Sequence, residues 1–187
     1  HPRLLTKARQ LKADAAAAGV PSLFLHGGDA FKGSAYFELF EHQINIDILN
    51  RMQLDAMALG NHEFDIGLPK LAEFAAGINF PLLAANVDRQ SEPLLASVQN
   101  LKAYQLYRLQ ELKWQRIPSV EAAAGAPVIA VFGLALEDMR TMVPDTGALI
   151  FEAEVSAAQR TVDALQQAGV QHIVALTHLG NQRELEL

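Results

Sequence analysis

Short apolar runs alternate with amphipathic stretches along the chain. Leu4, Leu5, Ala8, Leu11 and Ala15 recur at helical spacing between Lys and Arg, which predicts a helix over about residues 3–18. Gly19 fits its C-cap and Pro21 stops it. Residues 22–26 are an apolar run closed by a glycine-rich turn, the pattern of a buried strand. A second helix is predicted over about residues 34–52, with Phe37, Phe40, Ile44, Ile48 and Leu49 on one side. Further strands are predicted at 55–59, 80–84, 128–134 and 171–176, and further helices at 67–76 and 155–168. Residues 182–187 read as the opening of another helix. The weakest pattern lies in 89–127. Within it, 101–112 fits a strand or a helix and 122–126 reads as a turn, so the whole is read as a lengthened loop.

Strands alternating with helices need crossover connections, which predicts an α/β fold with largely parallel sheets. There is no internal repeat, low-complexity tract or Ser/Gly linker, so residues 1–187 are read as one domain.

Half of the residues are hydrophobic, 19% are charged and the formal net charge is -6. Such a balance argues against a nucleic-acid duplex or an anionic membrane as the main partner. An anionic small substrate stays open, because bound metal ions can dominate a local field. The absence of cysteine excludes a disulfide, a zinc–thiolate site and a thiol nucleophile. No stretch is long and apolar enough to span a bilayer, and no signal peptide is present. The start at His1-Pro2, without a methionine, is read as that of a processed or cut piece.

Polar, metal-competent side chains stand just past three of the predicted strands. Gly27-Gly28-Asp29 follows the first, Gly60-Asn61-His62-Glu63-Phe64-Asp65 the second, and Thr177-His178-Leu179-Gly180 the last. In open α/β sheets the carboxyl edge of the strands is where ligands bind. Each residue also has a plainer reading. Asp29 is a metal-bridging carboxylate, or a turn or helix N-cap residue. Asn61 offers a neutral amide oxygen to a hard dication, or merely follows Gly60 in a left-handed turn. His178 is a metal ligand, or a hydrogen-bonded histidine at a strand end. Asp65 reads as a cap for the helix near Gly67.

Gly28-Asp29 with Gly33-Ser34, then Gly60-Asn61-His62-Glu63, then Thr177-His178-Leu179-Gly180, resemble the calcineurin-like metallophosphoesterases. Ala58 to Asp65 is similar to the 5′-nucleotidase branch, and the similarity runs from Pro2-Arg3-Leu4 to Gly180. The resemblance implies a metallophosphatase-type layered α/β sandwich of three or four layers. It implies in-line hydrolysis of phosphate monoesters, chiefly 5′-nucleotides, by a metal-bound hydroxide on two divalent ions such as manganese or zinc. Asp29, Asn61 and His178 are then metal ligands, with Asp29 as the bridge. His62, oriented by Asp65, then faces the substrate phosphate as a catalytic group. Similar proteins are mostly periplasmic or secreted.

Family members also carry an Asp-x-His motif on their first strand, a Gly-His-x-His motif after the Thr-His-Leu-Gly strand, and a C-terminal domain that grips the nucleoside. None of these is in the 187 residues, and His1 is not assigned to the first motif. One metal site thus keeps Asp29, Asn61 and His178, while the other keeps Asp29. Three rivals remain: a 2′,3′-cyclic-nucleotide phosphodiesterase, a non-catalytic metal- or nucleotide-binding module, and a general α/β scaffold with coincidental histidines. Of the other histidines, His42 is read as solvated and His172 as opening a strand. His26 stands where the nucleotidase branch usually has an acidic residue. Tyr104, Tyr107 and Trp114 are read as packing residues rather than base-stacking ones. The acidic run 184–186 is read as a solvated helix face.

Overall fold

The computed structural model describes residues 2–185 and 187; His1 and Glu186, the latter part of the acidic run, lie outside the described residues. Helix α1 spans Pro2–Ala17, and strand β1 is short, Leu25–His26. The second predicted helix is two: α2, Ala35–Phe40, and α3, His42–Met52. They part at Glu41, whose φ is 50° and whose N–H closes α2 onto the Phe37 carbonyl. The break changes which residues face inward. Phe37 packs beside Phe31, Phe40 is left exposed, and His42 turns into the core. The solvated reading of His42 is therefore corrected: it is 1% exposed and its Nε2 lies 2.8 Å from Oε2 of Glu73.

Strand β2, Ala56–Ala58, leads through a single 3-10 turn at His62–Phe64 to α4, Leu68–Gly77. Two short strands follow, β3 at Leu82–Leu83 and β4 at Val87–Asp88. The lengthened loop read at 89–127 is corrected by three strands: β5, Leu101–Lys102; β6, Tyr104–Gln110; and β7, Lys113–Ile117. The β6–β7 hairpin turns at Glu111 and Leu112, both at positive φ. Neither is a glycine or asparagine, so the usual hairpin signal is missing from the sequence. The remaining elements are a second 3-10 turn, Glu121–Ala123; β8, Val128–Leu134; α5, Met139–Met142; β9, Ile150–Phe151; α6, Glu154–Gln167; β10, His172–Thr177; and α7, Asn181–Glu184.

The strands form two four-stranded sheets, in the orders β1-β2-β3-β5 and β10-β8-β6-β7. The first is parallel throughout. In the second, β10 and β8 are parallel while β6 runs antiparallel to both β8 and β7. A small antiparallel pair joins β4 to β9. The period-two alternation of side chains sorts the strands into layers. Met57 and Leu82 face α3 and α4, packing with Met52, Leu71 and Phe74. Ala56 and Leu83 face the other sheet, meeting Tyr107 and Val131. Leu106 and Ala130 face outward again, onto Leu165 of α6. The result is four layers, helix–sheet–sheet–helix.

Tyr107 and Gly133 fix how closely the sheets stack. The wholly buried Tyr107 donates its hydroxyl to the Asp55 carbonyl at 2.7 Å, and burial raises its pKa. A Cβ at Gly133 would lie 2.1 Å from the Leu83 carbonyl oxygen, so only glycine allows that approach.

Candidate active site

Because β1 and β2 are parallel neighbours, the turns that follow them emerge at one edge of the first sheet. The end of β10 in the second sheet meets them there. A Cβ at Gly28, whose φ is 98°, would lie 2.8 Å from Nδ1 of His178 and 3.0 Å from the Gly60 nitrogen. Glycine at this position lets the three turns converge.

Asp29 stands at the centre. Its Oδ2 lies 3.1 Å from His178 Nε2, and its Oδ1 accepts the His62 backbone N–H at 3.0 Å. It does not cap α2; Ser34 does, accepting from the Phe37 N–H. Its backbone is left-handed, with φ 58°, an unusual conformation for a residue other than glycine. Burial works to raise its pKa, but the His178 hydrogen bond, the His62 amide and both imidazole charges hold it below the usual carboxylate range.

His178 is held from both sides. Its Nδ1–H donates to the Gly27 carbonyl at 2.7 Å, which fixes the ring and turns Nε2 toward Asp29. The Asp29 hydrogen bond lifts its pKa to about 9, against partial burial. Among the described residues no three His, Cys, Asp or Glu side chains group as a metal site. Asn61 lies between two residues that both touch Asp29. On one side a Cβ at Gly60 would lie 2.3 Å from Asp29 Oδ1, and on the other the His62 N–H is bonded to that same oxygen. Asn61 has right-handed helical geometry, φ -76° and ψ -33°, so the left-handed turn reading does not hold.

His62 points elsewhere. Its Nδ1–H donates to Asp65 Oδ2 at 2.6 Å, while its Nε2 stands 4.0 Å from Asp29 Oδ2. Asp65 does not cap α4, which begins after Gly67 without a side-chain cap. Its carboxylate is taken up by His62 and by Lys32, whose Nζ lies 2.8 Å from the same Oδ2.

Sequence reasoning missed Lys32, which lies in the glycine-rich turn without a motif to mark it. It also gave no role to Glu63, which is completely buried beneath the site. Glu63 Oε2 accepts the N–H groups of Asp29 and Gly60 at 3.0 and 2.8 Å, and Oε1 that of Ala30 at 2.6 Å. Burial pushes its carboxyl above the usual range, opposed by these three amides. His26 accepts the Gly28 N–H on Nδ1 at 3.2 Å, and burial lowers its pKa. Of the aromatic candidates, Tyr107 and Trp114 pack between the sheets and Tyr104 is exposed.

A histidine–carboxylate pair at the joined carboxyl edges of two stacked sheets, beside a second histidine–carboxylate pair, defines a layered α/β protein of the metallophosphatase type. Residues 1–186 match the calcineurin-like phosphoesterase family, and the chain belongs to that family. It is 35% identical over 183 residues to the trifunctional nucleotide phosphoesterase protein YfkN of Bacillus subtilis, covering 89% of this chain and 12% of that one. It is 31% identical over 180 residues to the 5′-nucleotidase of Mus musculus, covering 95% of this chain and 28% of that one. The structure of the 5′-nucleotidase precursor from Thermus thermophilus superposes with a TM-score of 0.78 at 31% identity, over 94% of this chain and 31% of that one. The chain thus spans less than a third of the length of each of these relatives.

Proposed function

We propose that this chain is the metal-binding unit of a phosphoesterase that hydrolyses 5′-nucleotides and similar phosphate monoesters. The observation that carries the reading is the convergence of Asp29 and His178 beside the His62–Asp65 pair at one sheet edge. The nucleotide substrates named for the relatives supply the substrate class.

The donor set suits a divalent ion. Asp29 offers a carboxylate oxygen, Asn61 an amide oxygen and His178 its Nε2, with Nδ1–H already committed to the Gly27 carbonyl. A backbone carbonyl on the far ring nitrogen is the usual support for a ligating histidine. Among the described residues no three His, Cys, Asp or Glu side chains group together, so a second ion would find no separate cluster of such ligands. When bound, such ions supply an activated water and neutralise phosphoryl charge.

The chain's own residues then divide the work. Asp65 holds His62 through Nδ1, which leaves Nε2 toward the space in front of Asp29. A proton on that Nε2 can be donated to the ester oxygen as it leaves, or can stabilise charge building on the phosphoryl group. Lys32 keeps a positive charge on the same side of the site.

Phosphate release from AMP in excess manganese, compared between the protein and its Asp29→Ala variant, tests the reading. Loss of release in the variant is expected. Release at the same rate with and without Asp29 would overturn it. Assaying 2′,3′-cyclic AMP in parallel separates the diesterase alternative.

A further inference from the structure

Glu63 has no place in the chemistry described above, yet it is among the most enclosed polar side chains of the protein. Its two oxygens take three backbone N–H groups: Gly60 from the turn after β2, and Asp29 and Ala30 from the turn after β1. These are the two turns that carry Asp29 and Asn61.

We infer that Glu63 is a positioning residue that clamps the Asp29 turn to the Gly60-Asn61 turn and so holds the metal-ligand atoms in register. Asp29 adopts φ 58°, a conformation disfavoured for a residue with a Cβ. Something must hold it there, and the amides on either side of its Cα are the ones Glu63 receives. The clamp also sets where Oδ1 lies relative to Gly60, where a Cβ would meet it at 2.3 Å. A carboxylate suits the task because both oxygens accept and neither donates. A glutamine would place an amide N–H₂ against at least one of the three N–H donors. An aspartate keeps the charge but falls one methylene short of spanning the two turns.

This inference rests on the metal-site reading, and its test separates the two. Glu92 is the matched control. It is 5% exposed and accepts the Leu94 and Ala148 N–H groups at 3.2 and 2.9 Å, away from the site. Manganese(II) affinity and thermal midpoint are measured for the wild type, Glu63→Gln, Glu63→Asp and Glu92→Gln. Both glutamine variants are expected to melt earlier. Only the Glu63 variants should lose affinity, by about 10–100-fold, the range for residues that orient ligands. An equal affinity change in Glu63→Gln and Glu92→Gln would reduce Glu63 to a stability residue and overturn the inference. Absence of manganese binding by the wild type would overturn the metal reading instead. In that case the His178 Nε2–H resonance, hydrogen-bonded to Asp29, decides about Glu63. It should shift in Glu63→Asp and stay unchanged in Glu92→Gln; an unchanged resonance in both sinks the clamp.

Discussion

Oδ2 of Asp29 lies 3.1 Å from Nε2 of His178, and this contact joins the two sheets at their shared edge. Asp29 follows β1 of the first sheet and His178 follows β10 of the second. If a dication replaces the proton between them, removing either side chain removes a ligand. Asp29→Ala and His178→Ala should each abolish tight manganese binding, read by calorimetry or by the electron-spin resonance of free manganese. The intact chain should bind one ion tightly. Two equally tight sites would show that ligands beyond Asp29, Asn61 and His178 serve the second ion.

His62 should behave differently. In a form of the protein active on AMP, His62→Ala should lower kcat by about 10²–10⁴-fold, the usual range for a positioned acid or base. Metal content should stay the same, because Nδ1 is committed to Asp65 and Nε2 stands 4.0 Å from Asp29 Oδ2, farther than the 3.1 Å of His178 Nε2. Asp65→Asn should lower kcat less, since the asparagine oxygen still accepts from Nδ1–H. Metal loss in His62→Ala with a normal rate per bound ion would make His62 a ligand.

Tyr107→Phe deletes the hydroxyl that meets the Asp55 carbonyl at 2.7 Å between the sheets. The carbonyl is left without that donor, and the expected loss is about 1–3 kcal/mol in urea unfolding. Manganese affinity should hold, because Tyr107 takes no part in the site. A loss below a few tenths would mean that the hydroxyl is exchanged for water.

Gly133→Ala should cost more. The added methyl would meet the Leu83 backbone 2.1–2.3 Å away, and backbone cannot swing aside as a flexible side chain can. Overpacking of a tight core costs about 1–3 kcal/mol, occasionally more. A thermal midpoint equal to that of the wild type would show that the sheets can slide apart at this point.

The strands and helices with strong periodicity were legible because burial on one face writes its period into the sequence. Residues 128–134 are strand β8 as read, and 171–176 differs from β10 by one residue at each end. The break at Glu41 was not legible. The apolar spacing on either side is compatible with one continuous helix, and only packing of Phe37 beside Phe31 and burial of His42 selects two. The β6–β7 hairpin was hidden for a related reason. Its strands carry Lys, Arg and Gln on exposed positions, and its turn uses Glu111 and Leu112 in left-handed geometry without the customary residues.

By itself the sequence determined which side chains are chemically competent and that they stand at the ends of strands, because both follow from residue identity and local pattern. Which of them meet depended on the tertiary structure. His178 reaches Asp29 only because β10 and β8 pair in the second sheet and that sheet stacks on the first. The approach of Lys32 to Asp65, and the Asp29 and Ala30 amides held by Glu63, likewise join segments 33 or 34 residues apart. Such contacts leave no periodic trace, since a hydrogen bond between distant segments constrains a single residue at each end rather than a repeating face.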